Sequence, residues 1–322
     1  MTSLHPWDGA EAAEPSNPVW SAHILRQRRS WKRSLPANVT DEFSEFLAEH
    51  PGCAGNIEES ALVLKEMPEL SRFGGSLRES LLFGDGVAWV KGLDWGTFSA
   101  PEKRLFCASL GMSMGRAMQE YGCLYSVRDR GVDYTSESVP VSMTREETGM
   151  HTDSSALRSL PDLVGLLCEV PSKNGGDSLV VNALNIYWRL RVYAPEVLKI
   201  LEGNFIRNVV TPGADRNDQN LLENSFPIFT SGLKGKGRTF RYMRYWIEKG
   251  QELAGRPLRL SQMAALDQLD EALASEENLV RLRMGGGDML WVNNRTVAHG
   301  RMRYFDTPGN RREFQRMWIE TS

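Results

Sequence analysis

Among the five histidines of this 322-residue chain, His151 stands two residues before Asp153 in T-G-M-H-T-D-S-S. On an extended backbone an imidazole and a carboxylate at i and i+2 project the same way, about 6.6 Å apart at Cα, close enough to converge on one ion. The pair alone is read equally well as a polar turn, because H-x-D recurs by chance. A facial triad with open positions needs a third ligand. His5 and His23 lie near the amino terminus, His50 precedes Pro51, and His299 closes G-G-G-D-M-L-W-V-N-N-R-T-V-A-H. By elimination, His299 is the candidate.

Thirteen positions further on, in R-R-E-F-Q-R-M-W-I, a strand would place Arg312, Phe314, Arg316 and Trp318 on one face. Two guanidinium groups on an otherwise apolar face require anionic partners. A dicarboxylate would supply one through bidentate hydrogen bonds, which arginine forms better than lysine.

The elements that must position these groups are mixed. Helical spacing of apolar residues predicts helices over 40–50, 57–68, 102–121, 183–193 and 260–273, the last with Ser261 suited to an N-cap. Strand-like runs are G-V-A-W-V-K-G-L at 86–93 and, from about residue 122, L-Y-S-V, V-P-V-S-M, L-V-G-L-L-C-E-V, D-S-L-V-V-N, F-I-R-N-V-V, M-L-W-V-N-N and F-Q-R-M-W-I. Many short strands with few helices predict a sandwich or jelly roll. Residues 1–20 read as a flexible leader and 21–322 as a single domain, with its core over about 80–322 and a helical insert at about 183–275.

Composition narrows the function classes. A net charge of −3 and a pI near 6.0 give no positive field for a nucleic-acid backbone. The basic run R-Q-R-R-S-W-K-R at 26–33 is read as a solvated helix face. Cys53, Cys107, Cys123 and Cys168 form no C-x-x-C pair and fit free thiols in a reducing cytosol. With no signal sequence and no apolar run of membrane-spanning length, the expectation is a cytoplasmic protein acting on a small molecule, without nucleic-acid or membrane partners. The oligomeric state stays open, a homodimer included.

In order along the chain, H-T-D at 151–153, P-D-L-V-G-L-L-C at 161–168, G-G-D-S-L-V at 175–180, G-G-D-M-L-W-V-N-N-R at 286–295, H-G-R at 299–301 and R-R-E-F-Q-R-M-W at 311–318 resemble the taurine dioxygenase and clavaminate synthase group of iron(II)- and 2-oxoglutarate-dependent dioxygenases. The resemblance spans roughly residues 80–322. It implies a mostly β, α+β fold, a double-stranded β-helix or jelly roll with flanking helices. It further implies His151, Asp153 and His299 as catalytic iron ligands, and Arg312, Ser178 and Arg316 at the 2-oxoglutarate. The activity implied is oxidation of an unactivated C–H bond by dioxygen, with 2-oxoglutarate converted to succinate and carbon dioxide. Asp153 stands where the related amino-acid hydroxylases carry glutamate, and it argues against halogenation. Natural-product tailoring is the expected setting, with sulfonate catabolism behind it; desaturation, epoxidation and cyclisation stay open as outcomes. Arg128, Arg158 and Arg244 are candidates for holding an anionic substrate. Competing readings are a cupin-like isomerase and a non-catalytic jelly-roll binding module.

Overall fold

Three strands, Leu163–Val170, Met289–Asn293 and Glu313–Glu320, bury most of their residues, because both faces of the sheet they build are covered. The computed structural model describes residues 18–321 apart from 55, 94–95, 121, 133, 135–138, 157–158, 209–217 and 231–236. These strands are the centre of a seven-stranded sheet, in which Leu163–Val170 pairs antiparallel with both of the others. Val87–Lys91 and then Lys32–Ser34 extend it beyond Met289–Asn293, the last joined in parallel. Arg116–Ala117 and Tyr125–Val127 pair with the far side of Glu313–Glu320.

Alternation assigns each face its own core. On one side Leu163, Leu167, Met289, Trp291, Met317 and Ile319 pack against the amino-terminal helices, including Ala37–Glu49, Pro68–Phe83 and Ala100–Met114. On the other, Val164, Cys168, Leu290, Val292, Phe314 and Trp318 meet Val180, Val280, Leu282 and Val297 of a three-stranded sheet. That second sheet is Val280–Leu282, Ser178–Asn182 and Val297–Arg301, all antiparallel. Its outer face, at Val181 and Ala298, is covered by helices between Ala183 and Ala274. Two facing sheets, antiparallel apart from the Lys32–Ser34 edge and flanked by helices, form the jelly roll.

Several local expectations change. V-P-V-S-M is no strand: Val141–Met143 is a 3-10 turn following Pro140, which offers no N–H to a ladder. The helix starting at Leu260 is N-capped at Arg259, so Ser261 lies inside its first turn. The basic run divides between the helix Ala22–Gln27 and the edge strand Lys32–Ser34, with Arg28 paired to Asp85 and Trp31 buried between. Of the expected leader, residues 1–17 lie outside the described residues, while Trp20 is 1% exposed and donates to the Asp85 carbonyl. Trp20 therefore belongs to the folded body. The helix Pro68–Phe83, absent from the expected elements, buries Leu70, Gly74, Leu77 and Leu81 along one face, and Gly74 lets it approach so near that a Cβ there would lie 1.7 Å from Ser113 Oγ. The four cysteines are free, and among the described residues no helix is long and apolar enough to cross a membrane.

Trp291 is the largest side chain between the seven-stranded sheet and its helices, and it lies directly over Gly165, its register partner. A Cβ on Gly165 would fall 2.3 Å from the Trp291 ring, and one on Gly111 would meet Met317 Sδ at the same distance. A close-packed core accommodates an added methyl only by moving its neighbours. Gly165→Ala is expected to destabilise the fold by about 1–3 kcal/mol; an unchanged urea midpoint would show that Trp291 has room to move.

Candidate metal centre

His151 and His299 meet across one isolated antiparallel bridge, in which each main chain donates to the other's carbonyl at 2.8 Å. The Val297–Arg301 strand thus pairs with Ser178–Asn182 along one edge and touches His151 along the other. Gly300 permits this approach, since a Cβ there would lie 2.6 Å from the Gly149 carbonyl oxygen. The expectation of a continuous strand through His151 and Asp153 is corrected: the bridge ends at His151, and Asp153 opens a turn in which Ser154 takes φ 60. Asn294 fixes that turn. Its Oδ1 accepts from the Asp153 N–H at 2.8 Å, while its Nδ2 donates to the carbonyls of Asp153 at 3.0 Å and Pro161 at 3.1 Å.

Side-chain donors then converge. Nε2 of His151 and Nε2 of His299 each lie 3.7 Å from Asp153 Oδ1, and one ligand atom from each of the three residues falls within 4.8 Å of the others. The two imidazole rings are 4.6 Å apart between centroids. Nδ1 of His151 donates to the Gly149 carbonyl at 3.1 Å, so it is Nε2 that faces the cluster. His299 Nδ1 is buried with no partner.

Charge in this cluster is finely set by its surroundings. Burial alone would raise the Asp153 carboxyl, but the Arg316 guanidinium, then His151 and His299, outweigh it and hold it well below the usual carboxylate range. Arg316 Nη1 donates to Oδ1 at 3.2 Å and Trp318 Nε1 to Oδ2 at 2.7 Å. For His299, burial and then neighbouring His151 lower the pKa, favouring the neutral imidazole. Two imidazole nitrogens and an ionised carboxylate are the donor set that suits a divalent transition metal such as iron(II). The residues fit the ion.

Arg312 is 3% exposed, stacks over Phe314 at 3.8 Å from Cζ to ring centroid, and leaves Nε and Nη1 buried without partners. Burial, and then Arg301, lower its pKa to about 9. A buried cation with unused donors fits a carboxylate ligand. Ser178, 4% exposed, donates to Met284 Sδ at 3.5 Å and stands opposite Arg301 in the ladder.

The other candidates separate. Arg128 is half exposed, lies 3.8 Å from Glu313, and shares with Arg130, Arg311 and Arg312 a cavity of about 630 Å³ that none of the three triad residues lines. Arg244 is held by three carboxylates, Glu248, Asp267 and Asp270. Arg158 lies outside the described residues. The small cavity beside the triad, about 90 Å³, is lined instead by Asn208, Met243, Trp246, Val141 and Arg316, together with His151 and Asp153. Asn294 and the Trp318–Asp153 bond were not legible as site features; the only signal was the doubled asparagine after M-L-W-V.

A family model described as "Taurine catabolism dioxygenase TauD, TfdA family" matches residues 53–318. FR-33289 synthase of Streptomyces rubellomurinus is 27% identical over 320 residues, covering 94% of this chain and 88% of that protein. Asparagine oxygenase, solved with Fe(II), 2S,3S-3-hydroxyasparagine and succinate, aligns with TM-score 0.65 at 15% identity, over 90% of this chain and 94% of its own. The non-heme iron oxygenase OrfP, solved with Fe and alpha-ketoglutaric acid, aligns with TM-score 0.62 at 15% identity, over 90% and 94%. At such identities the solved structures establish the fold.

Groups that orient metal ligands typically change affinity by about 10–100-fold when removed. Trp318→Phe, which deletes the donor to Asp153 Oδ2, is expected to weaken cobalt(II) binding by about tenfold in calorimetric titration; equal affinity in variant and parent would remove Trp318 from that role.

Proposed function

This chain belongs to the TauD, TfdA family of dioxygenases, and on that premise we propose that it oxidises an unactivated C–H bond of a small polar or anionic molecule in natural-product biosynthesis. It is an oxidoreductase whose cofactors are iron(II), 2-oxoglutarate and dioxygen. The observation that carries the assignment to particular residues is the pairing of a His151–Asp153–His299 cluster with a buried, unpaired Arg312. A binding module has no use for that combination, and neither has a cupin-like isomerase.

His151, Asp153 and His299 would hold the iron, and Arg312 the distal carboxylate of 2-oxoglutarate, with the Ser178 hydroxyl as a further donor. When bound, the iron and its cosubstrate supply the oxidising power for C–H cleavage, as 2-oxoglutarate leaves as succinate and carbon dioxide. The chain's own residues do the positioning. Arg316 keeps Asp153 ionised and faces the small cavity, so it stands where an anionic substrate group would meet a cation. Trp318 and Asn294 hold Asp153 from its side chain and its main chain. Val141, Met243 and Trp246 pack as an apolar wall that limits water at the target carbon.

Kinship with an FR-33289 synthase supports the biosynthetic setting. One oxygenase domain in the cytosol is the arrangement we favour, supported by four free cysteines.

Two outcomes test the residue roles. Asp153→Ala is expected to abolish succinate formation while circular dichroism and the melting transition show a folded protein; undiminished turnover would exclude Asp153 as a ligand. Arg312→Leu should weaken 2-oxoglutarate binding at least about tenfold, since a buried charge-assisted pair is worth more than about 1.4 kcal/mol. Unaltered affinity would place the cosubstrate elsewhere.

A further inference from the structure

Arg312 has a buried companion. Arg301 lies two residues beyond His299 on the same strand, so the two side chains leave it on one face, and Ser178 stands directly across the ladder. Arg301 is 6% exposed. Its Nη2 donates to the carbonyls of Thr144, at 2.9 Å, and Glu146, while Nε and Nη1 are buried with no partner. Arg312 leaves the same two nitrogens unused. Both guanidinium groups neighbour the Tyr304 ring, with Cζ to centroid distances of 4.7 Å for Arg301 and 5.1 Å for Arg312, and the Tyr304 hydroxyl is also buried without a partner.

Among the described residues no carboxylate forms an ion pair with either guanidinium, and Asp306 acts on both only at longer range. Asp306 receives the main-chain N–H of Arg312, and Glu146 turns its side chain to Arg303 at 3.2 Å. Like charges sharing a dry site repel, and their unused donors call for an acceptor with several lone pairs. Gly176 keeps the enclosure tight, since a Cβ there would fall 3.2 Å from Arg312 Nε.

We infer that Arg301 is a second binding residue for the distal carboxylate of the keto-acid cosubstrate, and that with Arg312 it selects a keto acid charged at both ends. The inference rests on the oxygenase reading above. Its bland competitor is that Arg301 serves only as a strap, tying the 144–146 segment to the strand that bears His299.

Calorimetric binding of 2-oxoglutarate and of 2-oxobutyrate, which lacks the distal carboxylate, to the manganese(II)-loaded protein separates the two. Arg301→Gln keeps a donor for the Thr144 carbonyl and removes the charge. It is expected to weaken 2-oxoglutarate about tenfold while 2-oxobutyrate stays within about twofold, and Arg301→Lys should recover part of the loss. A parallel fall for both ligands, or no fall for either, would overturn the inference in favour of the strap. Should Arg301→Gln fail to fold, Arg312→Leu decides: with Arg301 intact it should still prefer 2-oxoglutarate over 2-oxobutyrate by about fivefold, and loss of all preference refutes Arg301. If Arg312→Leu binds 2-oxoglutarate like the parent, the underlying placement of the cosubstrate at Arg312 fails instead.

Discussion

A single buried carboxylate organises this molecule. Asp153 is 5% exposed, and an ionised carboxylate so enclosed persists only where charge and hydrogen bonds replace its lost water. The replacements come from three distant parts of the chain: Trp318 and Arg316 on the last strand, His299 on the smaller sheet, and Asn294 at the turn before it. Meeting all of them requires the two sheets to face each other at one separation. The jelly roll supplies that separation, and the apolar cluster between the sheets, with Phe314, Trp318, Val180 and Val297, holds it.

Charge at the two ends of the site follows opposite rules. Around Asp153 the protein provides its own counter-charge through Arg316, so the metal-ligand cluster is prepared in advance. Around Arg312 and Arg301 no described carboxylate comes within ion-pair distance, and burial outweighs the more distant Asp306 to depress both cations. On the proposed reading, an arrangement of this kind stores unfavourable free energy that a dianion would release on arrival, which would give the cosubstrate's charge, rather than its shape alone, a large share of recognition.

How much of this the sequence disclosed depends on the range of each interaction. His151 and Asp153 stood out because their relation is local, and the strand alternation of Arg312, Phe314, Arg316 and Trp318 needs only a period of two. Asn294 and Trp318 were invisible as partners of Asp153, since the bonds span 141 and 165 residues. Arg244 looked free for a substrate because the carboxylates that occupy it lie one turn along its own helix and on the later helix Leu260–Ala274. The helix Arg244–Leu253 was itself hidden in an aromatic, arginine-rich stretch whose composition suits strand as well as helix. Local pattern told what each segment prefers, and burial then decided which side chains were available.

Gly300 carries one more implication. The main chain at Gly149 presses against it so closely that position 300 tolerates only a hydrogen atom, and this contact fixes how far apart the two imidazole-bearing segments run. The aperture offered to an ion is therefore a backbone dimension. Exchanging one ligand type for another would alter the chemistry of the donors without resizing the opening, whereas a single methyl group at a residue that touches no ion would pry the whole gate apart.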